Sequence, residues 1–122
     1  MLKMICLVNR LGHLSHQAFE DHWRNHHAPL VLRHSHVLGI RRYVQNVPMG
    51  GMAQAALEAG RGTLPGQYDG YAELWWDDMA AHLATRSTDQ GRQALGDLIE
   101  DESRFIDLTR SQMWYVQERL VI

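Results

Sequence analysis

Six of the eight histidines in this 122-residue chain fall in one stretch, Ser15 to His36, which reads SHQAFEDHWRNHHAPLVLRHSH. Imidazole serves as a metal ligand or as an acid and base near neutral pH. His22 and His26 stand four apart, as in a helical zinc pair, but HWRNH lacks the glutamate of the H-E-x-x-H signature. The single cysteine, Cys6, lies in an apolar run, and no C-x-x-C supplies thiolates. His34 and His36 chelate together only where the chain is extended. Spacing therefore favours acid–base chemistry or ligand contact, and no metal is expected.

A helix must position these side chains. Ser15 is a good N-cap, and Glu20 and Asp21 lie early, where the helix dipole favours negative charge. At the helical repeat, Phe19, Trp23 and Leu30 fall within about 40° of one another, forming the stripe that faces a core. From Leu30, His26 lies about 40° to one side and His27 about 60° to the other, so either can reach inward. Pro29 lacks an N–H and crowds the carbonyl of Asn25, which predicts a kink or restart there. A histidine against apolar walls stays neutral, which suits a base. It equally suits a core histidine bonded to a backbone carbonyl.

Other polar candidates sit on strands. Gly39 to Asn46 alternates, with Arg41, Tyr43 and Gln45 on one face. In Gly70 to Trp76 (GYAELWW), Tyr71, Glu73 and Trp75 point one way. Glu73 lines a cavity, meets a dimer surface, or simply pairs with an arginine. Cys6 reads as a small buried hydrophobe. No G-x-S-x-G elbow or complete G-x-G-x-x-G motif is present, so a serine nucleophile and a dinucleotide site are disfavoured.

The remaining elements follow in order. Leu2 to Asn9 is an apolar strand that reads as buried on both faces. Residues 47–67 carry five glycines and two prolines and read as a long flexible loop with at most a helical turn at Ala53–Ala59. Asp77 or Asp78 caps a helix with Met79, Leu83 and possibly His82 inward. Thr88 starts another that buries Ala94, Leu95, Leu98 and Ile99 and runs to about Glu100. Glu102 to Ile106 adds a turn, and Gln112 to Gln117 is the last strand. This order predicts an α+β, ferredoxin-like split βαβ fold: a four-stranded antiparallel sheet with helices on one face. The uncovered face predicts a homodimer.

Composition sets the bounds. Residues 1–122 make one domain, 45% hydrophobic and 21% charged. A formal net charge of −2 argues against nucleic acid, which needs a basic footprint. No stretch approaches the roughly 20 apolar residues of a membrane span, and no signal-peptide pattern is visible. A cytoplasmic protein is expected.

Four segments carry a family likeness. Phe19–Leu30 (FEDHWRNHHAPL), Arg42–Asn46 (RYVQN), Asp69–Trp76 (DGYAELWW) and Asp101–Asp107 (DESRFID) together resemble the EthD family in order and spacing. The resemblance implies a dimeric α+β barrel, from a superfamily that includes cofactor-free monooxygenases, lactone isomerases and polyketide-processing enzymes. EthD itself is associated with ether-degradation gene clusters. The histidine directly before Ala-Pro-Leu, the one most often considered for the site, is His27 here. Trp23 and Trp75 match the family's aromatic positions.

The expectation is a small enzyme without a bound cofactor, acting on a hydrophobic cyclic or aromatic molecule held between the first helix and the sheet. His27, with His26 as rival, is the candidate acid or base. Trp23, Tyr43 and Trp75 are candidate walls, and Glu73 a candidate substrate contact. Proton abstraction beside a carbonyl suits one neutral base in an apolar pocket, with isomerisation, decarboxylation, dehydration or oxygenation to follow. The alternative is a non-catalytic binding or accessory protein on the same scaffold.

Overall fold

The computed structural model describes residues 1–122. Its four strands are β1 (Leu2–Val8), β2 (Arg42–Asn46), β3 (Gly70–Trp76) and β4 (Gln112–Gln117). They form one antiparallel sheet in the order β2-β3-β1-β4. The helices are α1 (His16–His22), α2 (Ala28–His34), α3 (Gly51–Arg61), α4 (Met79–Ala84) and α5 (Asp89–Glu102). This is the expected α+β, ferredoxin-like arrangement. No helix is long and apolar enough to cross a membrane.

Strand alternation sorts the sheet into two faces. Met4, Cys6 and Val8 share a face with Ala72, Leu74 and Trp76 and pack under the helices, together with Phe19, Trp23, Phe105 and Ile106. The opposite face carries Lys3, Ile5, Glu73, Trp75 and Val44, with no helix over it. The apolar run of β1 suggested burial on both faces. The helices of this chain cover one.

The first helical stretch restarts at Pro29 as expected, with α2 running to His34, and the break takes an unexpected form. Trp23–His27 forms a π-helical turn between α1 and α2, closed by the Ala28 N–H bonding to the Trp23 carbonyl five residues back. Such a turn accommodates Pro29, which stands at the start of α2 where it owes the helix no N–H. The wider turn also delays the return to the core by a residue. The buried series is therefore Phe19, Trp23, His27 and Val31, while Leu30 is only half-buried. Glycine makes room for this stripe. A Cβ on Gly70 would lie 2.6 Å from the Trp23 ring, so that ring rests directly on β3.

Two further differences concern the helices. Residues 47–67 hold an eleven-residue helix, α3, rather than one turn. Its sequence GMAQAALEAGR is rich in strong helix formers, Gln54 bonds Glu58 one turn on, and Gly62 ends it at φ 67°. In α4, capped by Asp78, the inward residue is His82, whereas Met79 and Leu83 stay exposed. His82 is drawn in by the Trp76 ring, 4.1 Å away between centroids. On α5, capped by Thr88, Ala94 and Leu98 are buried as expected, but Ile99 is half exposed and Asp101 is buried instead.

Candidate functional site

A cavity of about 370 Å³ lies between the covered face of the sheet and the helices. Its walls are mostly apolar, built by Met4, Cys6, Leu74, Trp76, Leu98 and Ile106 among others. Trp23, His27 and Tyr43 also line it, so the first helix does form one wall. Buried residues make its floor. Ile99, Met113 and Tyr115, each close to half exposed, mark its mouth between α5 and the edge strand β4.

Geometry separates the two adjacent histidines. His27 is 5% exposed and faces the cavity, while His26 is exposed, with its ring tilted against that of His22 outside. His27 Nδ1 lies 2.8 Å from Asp101 Oδ2, and His22 Nε2 lies 3.0 Å from Asp101 Oδ1. Arg104 reaches the same carboxylate at 3.3 Å. Burial alone pushes the Asp101 carboxyl up, but hydrogen bonds from His27 and His22 bring it below its ordinary value. Burial pushes His27 down, against the hydrogen bond to Asp101. The consistent assignment is a neutral imidazole whose Nδ1–H donates to the Asp101 carboxylate. Nε2 then carries the lone pair. Phe105 backs both rings, at 4.5 Å from His22 and 5.1 Å from His27.

Next along α5, Glu102 enters the same cavity. No cation or hydrogen-bond donor of the protein offsets its charge. Burial, helped by the neighbouring Asp101 charge, pushes its carboxyl up to about 7. A neutral base and a carboxyl protonated near neutral pH therefore share one apolar chamber. Burial pushes both the Cys6 thiol and the Tyr43 hydroxyl up to about 12, so neither ionises. Tyr43 Oη accepts from Gln45 Nε2 at 2.9 Å, and Gln45 is also tied to the Trp23 carbonyl at 3.0 Å. No group of three or more His, Cys, Asp or Glu side chains is arranged to hold a metal ion.

Two expected site residues lie elsewhere. Glu73 and Trp75 are on the uncovered face of the sheet, because residues 73 and 75 alternate away from the cavity-lining 72, 74 and 76. Glu73 pairs with Lys3 at 2.6 Å and takes a hydrogen bond from Asn46. Trp75 is covered by Lys3 and Arg42, each 4.7 Å from its ring centroid. Asp101 and Glu102 were not singled out from sequence, although both stand in the DESRFID segment. Extending the α5 stripe from Ala94 and Leu98 by three and four residues points to them.

The sheet order, the helical cover and the enclosed chamber define an α+β protein of the ferredoxin-like class. The EthD domain family matches residues 12–109, and the chain belongs to that family. Among solved structures, it is similar to an EthD family protein from Bacillus halodurans C-125. The two are 21% identical, with a TM-score of 0.65 over 98% of this chain and 99% of that one. HapK from Hahella chejuensis is 15% identical, with a TM-score of 0.60 over 100% of this chain and 95% of that one. A dabb family protein with a ferredoxin-like fold from Mesorhizobium loti is 10% identical, with a TM-score of 0.52 over 97% and 96%. At these identities the likeness concerns the fold alone. No curated protein sequence matches the chain.

Proposed function

We propose that this protein is a small acid–base enzyme for an apolar cyclic or aromatic carbonyl compound, with His27 as base and Glu102 as acid. The observation that carries this reading is the pairing, in one apolar cavity, of an Asp101-oriented neutral imidazole with an unpaired carboxyl raised to about 7. Environments that drive a histidine down and a carboxyl up are a mark of acid–base sites.

In the simplest reaction, His27 Nε2 takes a proton from the carbon beside a carbonyl. Glu102 gives its own proton to the carbonyl oxygen, and an enol forms. Return of a proton to the same carbon gives exchange, and to another carbon gives isomerisation. Trp23 and Tyr43 supply flat and polar wall to hold the ring. Asp101 keeps the proton on Nδ1 and so keeps Nε2 basic.

The test uses a bicyclic ketone, 2-tetralone, in D2O, with hydrogen–deuterium exchange at carbon followed by NMR. The wild-type protein is expected to accelerate exchange. His27→Gln should lose on the order of 10²–10⁴-fold of that acceleration. Exchange unaffected by His27→Gln defeats the base assignment. Binding of the ketone with no exchange in the wild type favours a binding or accessory protein instead.

A homodimer belongs to the same proposal. The uncovered sheet face, with Ile5, Val44 and Trp75, has no helix of its own chain over it, and a second copy is the economical cover. Sedimentation at micromolar concentration is expected to give a dimer, and Ile5→Lys a folded monomer. A wild-type monomer contradicts the pairing.

A further inference from the structure

The same cavity has a second polar pole, at its mouth, that proton transfer at His27 and Glu102 does not use. His82, Arg86 and Tyr115 all line it there. His82 is 5% exposed and packed on Trp76, whereas Tyr115 is 45% exposed and Arg86 exposed. The three form a short hydrogen-bonded chain. Tyr115 Oη lies 2.8 Å from His82 Nε2, and the Arg86 N–H directed at the same nitrogen makes it the acceptor. Arg86 Nη2 lies 3.3 Å from Tyr115 Oη and 3.4 Å from His82 Nε2. Burial and the Arg86 charge both push His82 down, which keeps its Nε2 an acceptor.

This chain fixes the guanidinium without neutralising it. Both of its partners are neutral, and no carboxylate meets it. Only Nη2 is engaged, at 3.3 and 3.4 Å, so the N–H donors of Nε and Nη1 are left for an anion. The backbone is held as well, since Arg92 Nη1 donates to the Arg86 carbonyl at 3.2 Å. Arg86 is the one permanent charge among the residues that line an otherwise apolar chamber. A cation placed at the rim of an apolar pocket, tethered yet unpaired, orients an amphipathic anion.

We infer that the ligand is an aromatic or alicyclic anion: Arg86 holds its carboxylate-type group at the mouth, and its ring fills the cavity toward His27 and Glu102. This rests on the cavity being the ligand site, as proposed above, and adds the substrate class and the residue that selects it. An anion anchored at the rim fixes which end of the ring points inward, so Arg86 is a specificity and positioning residue rather than a proton-transfer group.

Two fluorescent probes with the same ring system test it. 1-Anilinonaphthalene-8-sulfonate carries an anion, and N-phenyl-1-naphthylamine does not. Both are titrated against wild type, Arg86→Gln and Arg86→Lys. Arg86→Gln is expected to weaken the sulfonate roughly tenfold or more, the scale of a lost charge-assisted hydrogen bond, and to change the neutral probe less than about twofold. Arg86→Lys should recover part of the loss, because it keeps the charge but not the planar set of N–H donors. Arg86 is exposed, so neither change endangers the fold. Equal effects on the two probes, or none on the sulfonate, overturn the assignment. Binding of neither probe to the wild type overturns it together with the cavity as a ligand site. Since no proton is moved from either probe, failure of the acid–base roles shows separately, in the ketone exchange of His27→Gln.

Discussion

Two glutamates face opposite sides of this molecule and are driven in opposite directions. Glu102 projects from α5 into the cavity on the covered side of the sheet, and burial without a partner pushes its carboxyl up to about 7. Glu73 stands on β3 toward the uncovered side, where the Lys3 hydrogen bond at 2.6 Å holds it below the ordinary value. One is protonated at the pH where proton transfer is useful, and the other is a permanent anion. Environment rather than residue type separates an acid from an ion-pair partner.

The largest effect that divides them is on catalysis. Glu102→Gln is expected to lower ketone exchange on the order of 10²-fold or more, the usual range for removing a general acid. Glu73→Gln should leave it within about twofold, because Glu73 does not line the cavity and its partners Lys3 and Asn46 share its face of the sheet. The pH profile sharpens the point. Glu102 donates only when protonated, so the wild-type rate falls as pH rises through about 7, and Glu102→Gln removes that limb. Equal losses in the two variants break the contrast.

Stability gives a smaller separation with opposite signs. For Glu102 the folded state binds its proton more tightly than the unfolded chain does. Stability therefore falls as pH rises from the unfolded carboxylate value toward 7, by as much as about 3 kcal/mol. Glu102→Gln should match the parent near pH 4 and exceed it at pH 8 in urea denaturation. For Glu73 the folded value is depressed, so its contribution is present above the unfolded value and is lost as pH falls through the folded one. A Glu102→Gln variant no more stable than the parent at pH 8 means the carboxylate is better solvated than its position implies.

Much of this arrangement is legible in the sequence, for identifiable reasons. GYAELWW and QMWYVQ match β3 and β4 residue for residue, because alternation and aromatic content mark strands directly. Ser15 and Thr88 cap their helices as read, since the N-cap bond is local. What was hidden depends on distant or irregular geometry. The π turn at Trp23–His27 shifts the helical repeat, so a uniform wheel leaves His26 and His27 level and favours Leu30 over Val31. Asp101 is 74 residues from His27, and nothing local announces that they meet. Glu102 fell past the expected end of α5, although the family-like segment DESRFID contains it. Glu73 looked promising because alternation shows which residues share a face, but not which face the helices cover.

The smallest expected effect tests the histidine assignment itself. His26 and His27 are neighbours in chain and alike in chemistry, so a contribution from the stretch as a whole would be shared between them. The π turn instead sends His27 inward to Asp101 and leaves His26 on the outer surface, with its ring 5.1 Å from that of His22. His22 keeps its own bond to Asp101 without His26. His26→Ala removes an exposed side chain from a helical position that alanine favours. Ketone exchange should therefore stay within about twofold of the wild type, and stability within about 0.5 kcal/mol. A loss in His26→Ala comparable to that in His27→Gln would mean that the chemistry belongs to the outer histidine pair, His22 and His26, rather than to the cavity.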